Sequence, residues 1–145
     1  MASSLLEAVD IKAPVAVSWA LWENVERWPS FLSHVKHVQR IDGKTFAWQV
    51  ALPGADKSFV AELTEVVPQD RIAWHTTEGV HHAGVVTFHH LSATESRVTL
   101  QIEYDPQGFI EHLGALTNLD ATLANYDLGE FKKMAERTVS EGTGD

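Results

Sequence analysis

The chain has 145 residues, a formal net charge of −9, no cysteine, five tryptophans and eight histidines. This length suits one domain with a sizeable core, and the acidic balance argues against a general binder of nucleic acids or anionic membranes. The lack of cysteine excludes disulfides, thiolate catalysis and cysteine-ligated metal centres. No apolar run is long enough to span a membrane and no signal-peptide pattern occurs, so we expect a cytoplasmic location.

The amino-terminal part of the chain predicts one strand and two short helices. Leu5–Lys12 alternates between apolar and polar residues, as a strand does. Pro14 suits the first turn of a helix over Val15–Trp22, and a second helix is predicted from Asn24 to Arg27 with the asparagine as its N-cap. Trp28-Pro29 should end that helix, because the residue before a proline avoids the helical region.

Between residues 34 and 104 the pattern changes to period two, in short runs separated by turn signals. Such short connections predict sequential antiparallel hairpins. One face of the resulting sheet is predicted to be apolar, because Phe46, Trp48 and Val50 alternate with smaller or polar residues. The predicted strands are His34–Ile41, Thr45–Leu52, Ser58–Val67, Arg71–Thr76, His82–His90 and Arg97–Tyr104.

A long amphipathic helix is predicted over Phe109–Arg137, where apolar residues recur at helical spacing. Asp120 and Asp127 fall within or beside its apolar stripe. Residues 140–145 are predicted to be a flexible tail that follows a single domain of residues 1–139. A seven-stranded sheet can bury its apolar face against one such helix only by curling around it, which favours a cavity between them.

Five segments, spread over nearly the whole chain, carry a family pattern: Pro14–Trp22, Val25–Phe31, Asp70–Trp74, Ala83–Phe88 and Asp127–Lys132. Together they resemble the polyketide cyclase/dehydrase family of the START/Bet v 1-like (SRPBCC) superfamily. The resemblance implies an α+β helix-grip fold, a seven-stranded antiparallel sheet curled around a long carboxy-terminal helix, with two short helices after the first strand. It implies function less sharply, because the superfamily includes aromatase/cyclases, quinone- and lipid-binding proteins, hormone receptors and oxygenase domains.

Aromatic residues are the first candidates for a binding site. On one concave face they would line an apolar pocket, with tryptophan and tyrosine tips that orient a ligand; the alternative is that they only fill the core. The predicted ligand-binding residues are Trp28, Phe31, Trp48, Phe59, Trp74, Phe88 and Tyr104 on the hairpin and sheet, and Leu113, Leu116 and Asp120 on the long helix.

The histidines are the second set of candidates. His75 and His82 become cross-strand neighbours if residues 77–80 form a four-residue turn, and one could then act as a general base, although solvent-facing histidines are the simpler interpretation. No His-x-His or HExxH spacing occurs, so neither a metal nor another cofactor is predicted. The same turn would place Trp74 on one face of the sheet with Ala83 and Val85, and His75 on the other face with Val86 and Phe88. Both faces cannot be fully buried, so either the turn differs by one residue or a bulge shifts which residues share a face.

Asp120 is a further candidate, because a carboxylate inside an apolar cavity is easily protonated and could act as acid or base. A structural role is favoured for Asp127, near the end of the helix. We therefore expect a protein that binds an apolar or aromatic small molecule, polyketide-, lipid- or quinone-like. The alternative is an aromatase-type polyketide cyclase/dehydratase, with His75, His82, Tyr104 and Asp120 as candidate acids and bases. The oligomeric state stays open between monomer and homodimer.

Overall fold

Seven strands form one antiparallel sheet in the computed structural model, which describes residues 3–32, 35–52, 55–79, 82–104 and 117–142. The strand order across the sheet is β1-β7-β6-β5-β4-β3-β2. The strands are β1 (Ser3–Ile11), β2 (Val35–Arg40), β3 (Thr45–Leu52), β4 (Ala55–Val67), β5 (Arg71–Gly79), β6 (His82–Ser92) and β7 (Glu95–Tyr104). Helix α1 (Val15–Glu23) and a 3₁₀ helix (Val25–Ser30) follow β1, and α2 (Thr117–Gly142) follows the sheet.

The predicted α+β helix-grip fold is confirmed, with the sheet curled against the carboxy-terminal helix. Strand β3 has the predicted bounds, whereas β5 continues to Gly79 instead of ending at Thr76. Helix α2 continues to Gly142, so the predicted end at Arg137 was wrong. The predicted start at Phe109 lies outside the described residues.

The predicted end of the second short helix at Arg27, before Trp28-Pro29, was also wrong, because the 3₁₀ helix continues through Pro29 to Ser30. The carbonyl of Trp28 accepts a hydrogen bond from the backbone N–H of Phe31 at 3.1 Å. Pro29 is therefore the second residue of a four-residue turn. Proline is favoured at that position, because its fixed φ suits the turn and its missing N–H is not needed there.

A buried pair of hydroxyls fixes α1 to the sheet. Ser96 Oγ donates a hydrogen bond to the backbone carbonyl of Ala13 at 2.8 Å, and lies 2.9 Å from Ser18 Oγ. Since the only proton of the Ser96 hydroxyl is used on Ala13, the Ser18 hydroxyl is the donor between the two serines. Both side chains are fully buried, so α1 is held with its Trp19 and Trp22 side inward.

The pairing of β5 with β6 resolves the parity conflict between Trp74 and His75. Trp74 pairs with Gly84, and His75 pairs with Ala83. This register is shifted by one residue from the one that a four-residue turn would give. The prediction that His75 and His82 are cross-strand neighbours was therefore wrong. Trp74 now shares the buried face with Val86 and Phe88, whereas His75 is exposed on the other face.

Charged groups hold the second half of α2 against the end of β1. Glu136 accepts hydrogen bonds from the Lys132 ammonium at 2.6 Å and from the backbone N–H of Lys12 at 2.9 Å. Lys132 Nζ also donates to the backbone carbonyl of Asp10 at 3.0 Å. The hydrogen bond from Lys132, followed by the one from the Lys12 backbone, holds the pKa of the Glu136 carboxyl below its ordinary value of 4.5.

Glu136→Gln should lower the free energy of unfolding at pH 7 by about 0.5–1 kcal/mol, the scale of a partly exposed ion pair. Because the folded-state pKa is lowered, this stabilisation is fully present above the ordinary value of 4.5 and disappears as the pH falls through the folded-state pKa. Urea unfolding at pH 7 and pH 3 measures the difference.

The matched control is Glu130→Gln, which removes a more open pair with Lys133 on the same helix, 3.4 Å between charged atoms. It should cost less than Glu136→Gln at pH 7. A Glu136→Gln deficit of equal size at both pH values would contradict the role given to the carboxylate.

Candidate functional site

Aromatic side chains cover the inner face of the sheet and the segments packed on it. Six of the predicted ligand-binding residues are described with their side chains, and each is at most 7% exposed. They come from the 3₁₀ helix and its end (Trp28, Phe31), from β3 and β4 (Trp48, Phe59) and from β5 and β6 (Trp74, Phe88). The sheet thus brings together residues that are up to 60 positions apart in the sequence (28 to 88).

Five of these rings, together with Trp22 and Phe131, form one connected group, which we call the inner aromatic cluster: Trp22, Trp28, Phe31, Trp48, Phe59, Trp74 and Phe131. Trp28 is its centre, with ring centroids 5.0 Å from Trp22 and 5.2 Å from both Trp48 and Trp74. Its indole N–H donates to the backbone carbonyl of Trp22 at 2.8 Å. Trp28 is therefore fixed in position by packing and by a hydrogen bond.

The cluster has a packed side and a branch along the sheet. On the packed side Phe131 of α2 lies 5.3 Å from Trp22 and 5.1 Å from Phe31, and both Trp22 and Phe131 are fully buried. On the other side Trp48 stacks on Phe59 at 5.6 Å with an interplanar angle of 17°. The first group fills the core, while Trp48 and Phe59 form a branch of the cluster along strands β3 and β4.

Four predicted site residues lie where their side chains are not described. Tyr104 and Asp120 belong to β7 and α2 by their backbones, and Leu113 and Leu116 lie outside the described residues. The register pairs Tyr104 with His82, so two candidate acids or bases are adjacent on neighbouring strands. The roles of these residues stay predictions.

The histidines whose side chains are described all lie on the surface. His37, His75, His89 and His90 are exposed. Within the described part of the chain, no three histidine, aspartate or glutamate side chains are grouped as a metal site would require. His75 is separated from the aromatic face by the thickness of the sheet, so it is not part of an inner site.

Buried polar side chains are rare on the inner side of the described part of the chain; sequence reasoning had placed Asp127 within or beside the apolar stripe and missed Thr76. Asp127 on α2 is fully buried, and Thr76 on β5 is 7% exposed. Thr76 follows Ile72 and Trp74 at period two and is the last residue of the predicted strand, so this spacing was the signal that could have placed it inward. The indole N–H groups of Trp22 and Trp48 are buried and have no hydrogen-bond partner among the described residues.

A concavity lies on the outer face of the sheet. It is an open depression of about 310 Å³ with small residues at its floor, and it is lined by Thr64, Ala73, Trp74, His75, Ala83, Gly84, Val85, Gln101 and Glu103. His75, Gln101 and Glu103 are exposed there. It offers no buried polar group to fix a ligand, so it is a weaker site than the inner face.

Comparisons with known proteins agree with this architecture. A family model described as polyketide cyclase / dehydrase and lipid transport matches residues 11–133. An uncharacterized 17.2 kDa protein of Streptomyces lincolnensis is 32% identical over 143 residues, which are 98% of this chain and 95% of that protein.

Two solved structures show the same fold at lower identity. The Zhui aromatase/cyclase of Streptomyces sp. R1128 superposes with a TM-score of 0.81 at 17% identity, over 96% of each chain. A START superfamily protein of Mycobacterium smegmatis superposes with a TM-score of 0.69 at 13% identity, over 95% of this chain and 97% of that one. No helix within the described ranges is long and apolar enough to cross a membrane.

Proposed function

Because this chain belongs to the polyketide cyclase/dehydrase and lipid transport family, we propose that it binds an apolar or aromatic small molecule between the concave face of the sheet and α2. The inner aromatic cluster carries the proposal. Its rings away from the packed side, those of Trp48, Phe59 and Trp74, give a flat ligand large faces and edges to stack against, at low cost in side-chain entropy. The ligand class is polyketide-, quinone- or lipid-like, and we place the protein in the cytoplasm.

The charge distribution supports binding of a neutral ligand. Every described lysine and arginine side chain is exposed or half-buried, so none can neutralise an anionic group deep on the inner side. A buried unpaired charge would be costly in such surroundings. The apolar face therefore suits a neutral, largely hydrocarbon molecule.

Native mass spectrometry tests the proposal directly. The protein is incubated with 9,10-anthraquinone or with palmitic acid, which represent flat aromatic and chain-like ligands. We expect a 1:1 complex with anthraquinone, since its planar rings match the stacking surface of Trp48 and Phe59. No complex with either compound would contradict the proposal.

Ala83→Leu is the matched control, because Ala83 lies in the outer depression and a larger side chain would fill it. Binding between the sheet and α2 should survive this change. Loss of the complex in Ala83→Leu would place the ligand on the outer face instead.

A polyketide cyclase/dehydratase is the second candidate function, and the pairing of His82 with Tyr104 on neighbouring strands favours it. Cyclisation and dehydration transfer protons at carbons next to carbonyls, which an imidazole or a phenol can do. Asp120 remains a candidate for the same role. An enzyme should lose turnover of a linear polyketone in His82→Gln while the anthraquinone complex persists, whereas a carrier has no turnover to lose.

A further inference from the structure

The indole N–H of Trp48 is a buried donor that meets no acceptor in the described part of the chain. Trp48 is 4% exposed, and its Nε1 has no hydrogen-bond partner among the described residues. Buried polar groups in native proteins are nearly always paired, and leaving one unpaired costs about 1–3 kcal/mol. Trp28, in the same cluster, shows the usual situation, because its N–H is satisfied by the Trp22 carbonyl.

Trp22 has the same unpaired group but a different position. It is fully buried, with Trp28, Phe31 and Phe131 at centroid distances of 5.0, 4.8 and 5.3 Å. A ligand could reach its N–H only by displacing this packing. Trp48 has fewer ring neighbours: within the described cluster it stacks on Phe59 and contacts Trp28, at centroid distances of 5.6 and 5.2 Å.

A single water molecule is a poor partner for the Trp48 N–H. A buried water normally makes two to four hydrogen bonds. The two rings that contact Trp48, those of Trp28 and Phe59, carry no acceptor atom, and the one donor between them, the Trp28 N–H, already binds the Trp22 carbonyl. An acceptor oxygen carried on an apolar molecule needs only one donor and brings its own stacking surface. The neighbours of Trp48 therefore favour a ligand over a water.

We propose that the Trp48 N–H donates a hydrogen bond to a neutral acceptor oxygen of the ligand, a carbonyl or quinone oxygen on an aromatic or polycyclic body. This inference rests on the proposed function and narrows its ligand class. The indole N–H can only donate a hydrogen bond, so a ligand group that can itself only donate cannot pair with it. A carboxylate is disfavoured because no lysine or arginine side chain is buried in the described part of the chain.

Two matched compounds, 9,10-anthraquinone and anthracene, separate the hydrogen bond from the stacking. Their dissociation constants are measured by tryptophan fluorescence for the wild type, Trp48→Phe and Trp22→Phe. Trp48→Phe should weaken anthraquinone binding about tenfold, the worth of one hydrogen bond, and change anthracene binding by less than about twofold, because phenylalanine keeps the stacking on Phe59. Trp22→Phe should leave the preference for anthraquinone unchanged.

The outcomes distinguish the two proposals. If Trp48→Phe weakens both compounds equally, or neither, the hydrogen bond does not exist and the inference is overturned while the binding function stands. If the wild type binds neither compound, the binding function fails and the inference fails with it. Should Trp48→Phe not fold, the wild type still decides: the indole N–H resonance of Trp48 must move downfield with anthraquinone and not with anthracene, and equal movement overturns the inference.

Discussion

Phe131→Ala is expected to lower the free energy of unfolding by about 3–5 kcal/mol, the range for truncating a buried phenylalanine. Phe131 is fully buried and contacts Trp22 and Phe31, so its ring connects α2 with the two short helical segments. Its removal leaves a cavity at the packed side of the inner aromatic cluster. Urea unfolding at pH 7 measures the loss.

Tyr126→Ala is the matched control, since it truncates an aromatic residue of the same helix that is 58% exposed. We expect a change within about 0.5 kcal/mol, as for surface substitutions in general. Equal losses in the two variants would mean that the position of α2 does not depend on the Phe131 contact.

Gly84→Val should destabilise the protein by about 1–3 kcal/mol through overpacking. A Cβ at position 84 would meet the indole of Trp74, with Cζ2 nearest, Cε2 at 2.5 Å and Cη2 at 2.8 Å. Trp74 cannot move away without cost, because it packs against Trp28 at 5.2 Å and is 6% exposed. Glycine at this position lets the indole lie directly on the β6 backbone.

Gly129→Ala on α2 should stabilise the protein, whereas Gly84→Val should destabilise it. Nothing lies within 4 Å of a Cβ at this position, and alanine is favoured over glycine in a helix interior by about 1 kcal/mol. Thermal unfolding should therefore show a higher Tm for Gly129→Ala and a lower Tm for Gly84→Val. A Gly84→Val protein as stable as the wild type would show that Trp74 has room to shift.

Periodicity predicted the sheet well because each strand keeps one face buried. In β3, Phe46 and Trp48 are buried while Gln49 is exposed, which is the alternation that the sequence displays. The connection between β5 and β6 was predicted less well, since residues 77–79 continue a strand that no apolar residue marks. The register of β5 against β6 is determined by a contact between the strands, the pairing of Trp74 with Gly84, and not by the residues of the connection.

The site was predictable in its residue types but not in its hydrogen bonding. Trp28, Trp48 and Trp74 look alike in the sequence, and all three are buried on the inner side. Which indole N–H is satisfied depends on the backbone path of α1, which brings the Trp22 carbonyl to Trp28. The apolar stripe placed Asp127 within or beside the buried side of the helix, but its full burial depends on how α2 docks.

Mapping the bound ligand by NMR tests the central claim most directly. Uniformly ¹⁵N-labelled protein is titrated with 9,10-anthraquinone, and shifts of the backbone amides and indole N–H groups are followed. Binding between the sheet and α2 predicts shifts at Trp28, Trp48, Phe59 and Trp74, with Gln101 and Glu103 of the outer face unmoved. Shifts confined to the outer depression, or no shifts at saturating anthraquinone, would contradict the account.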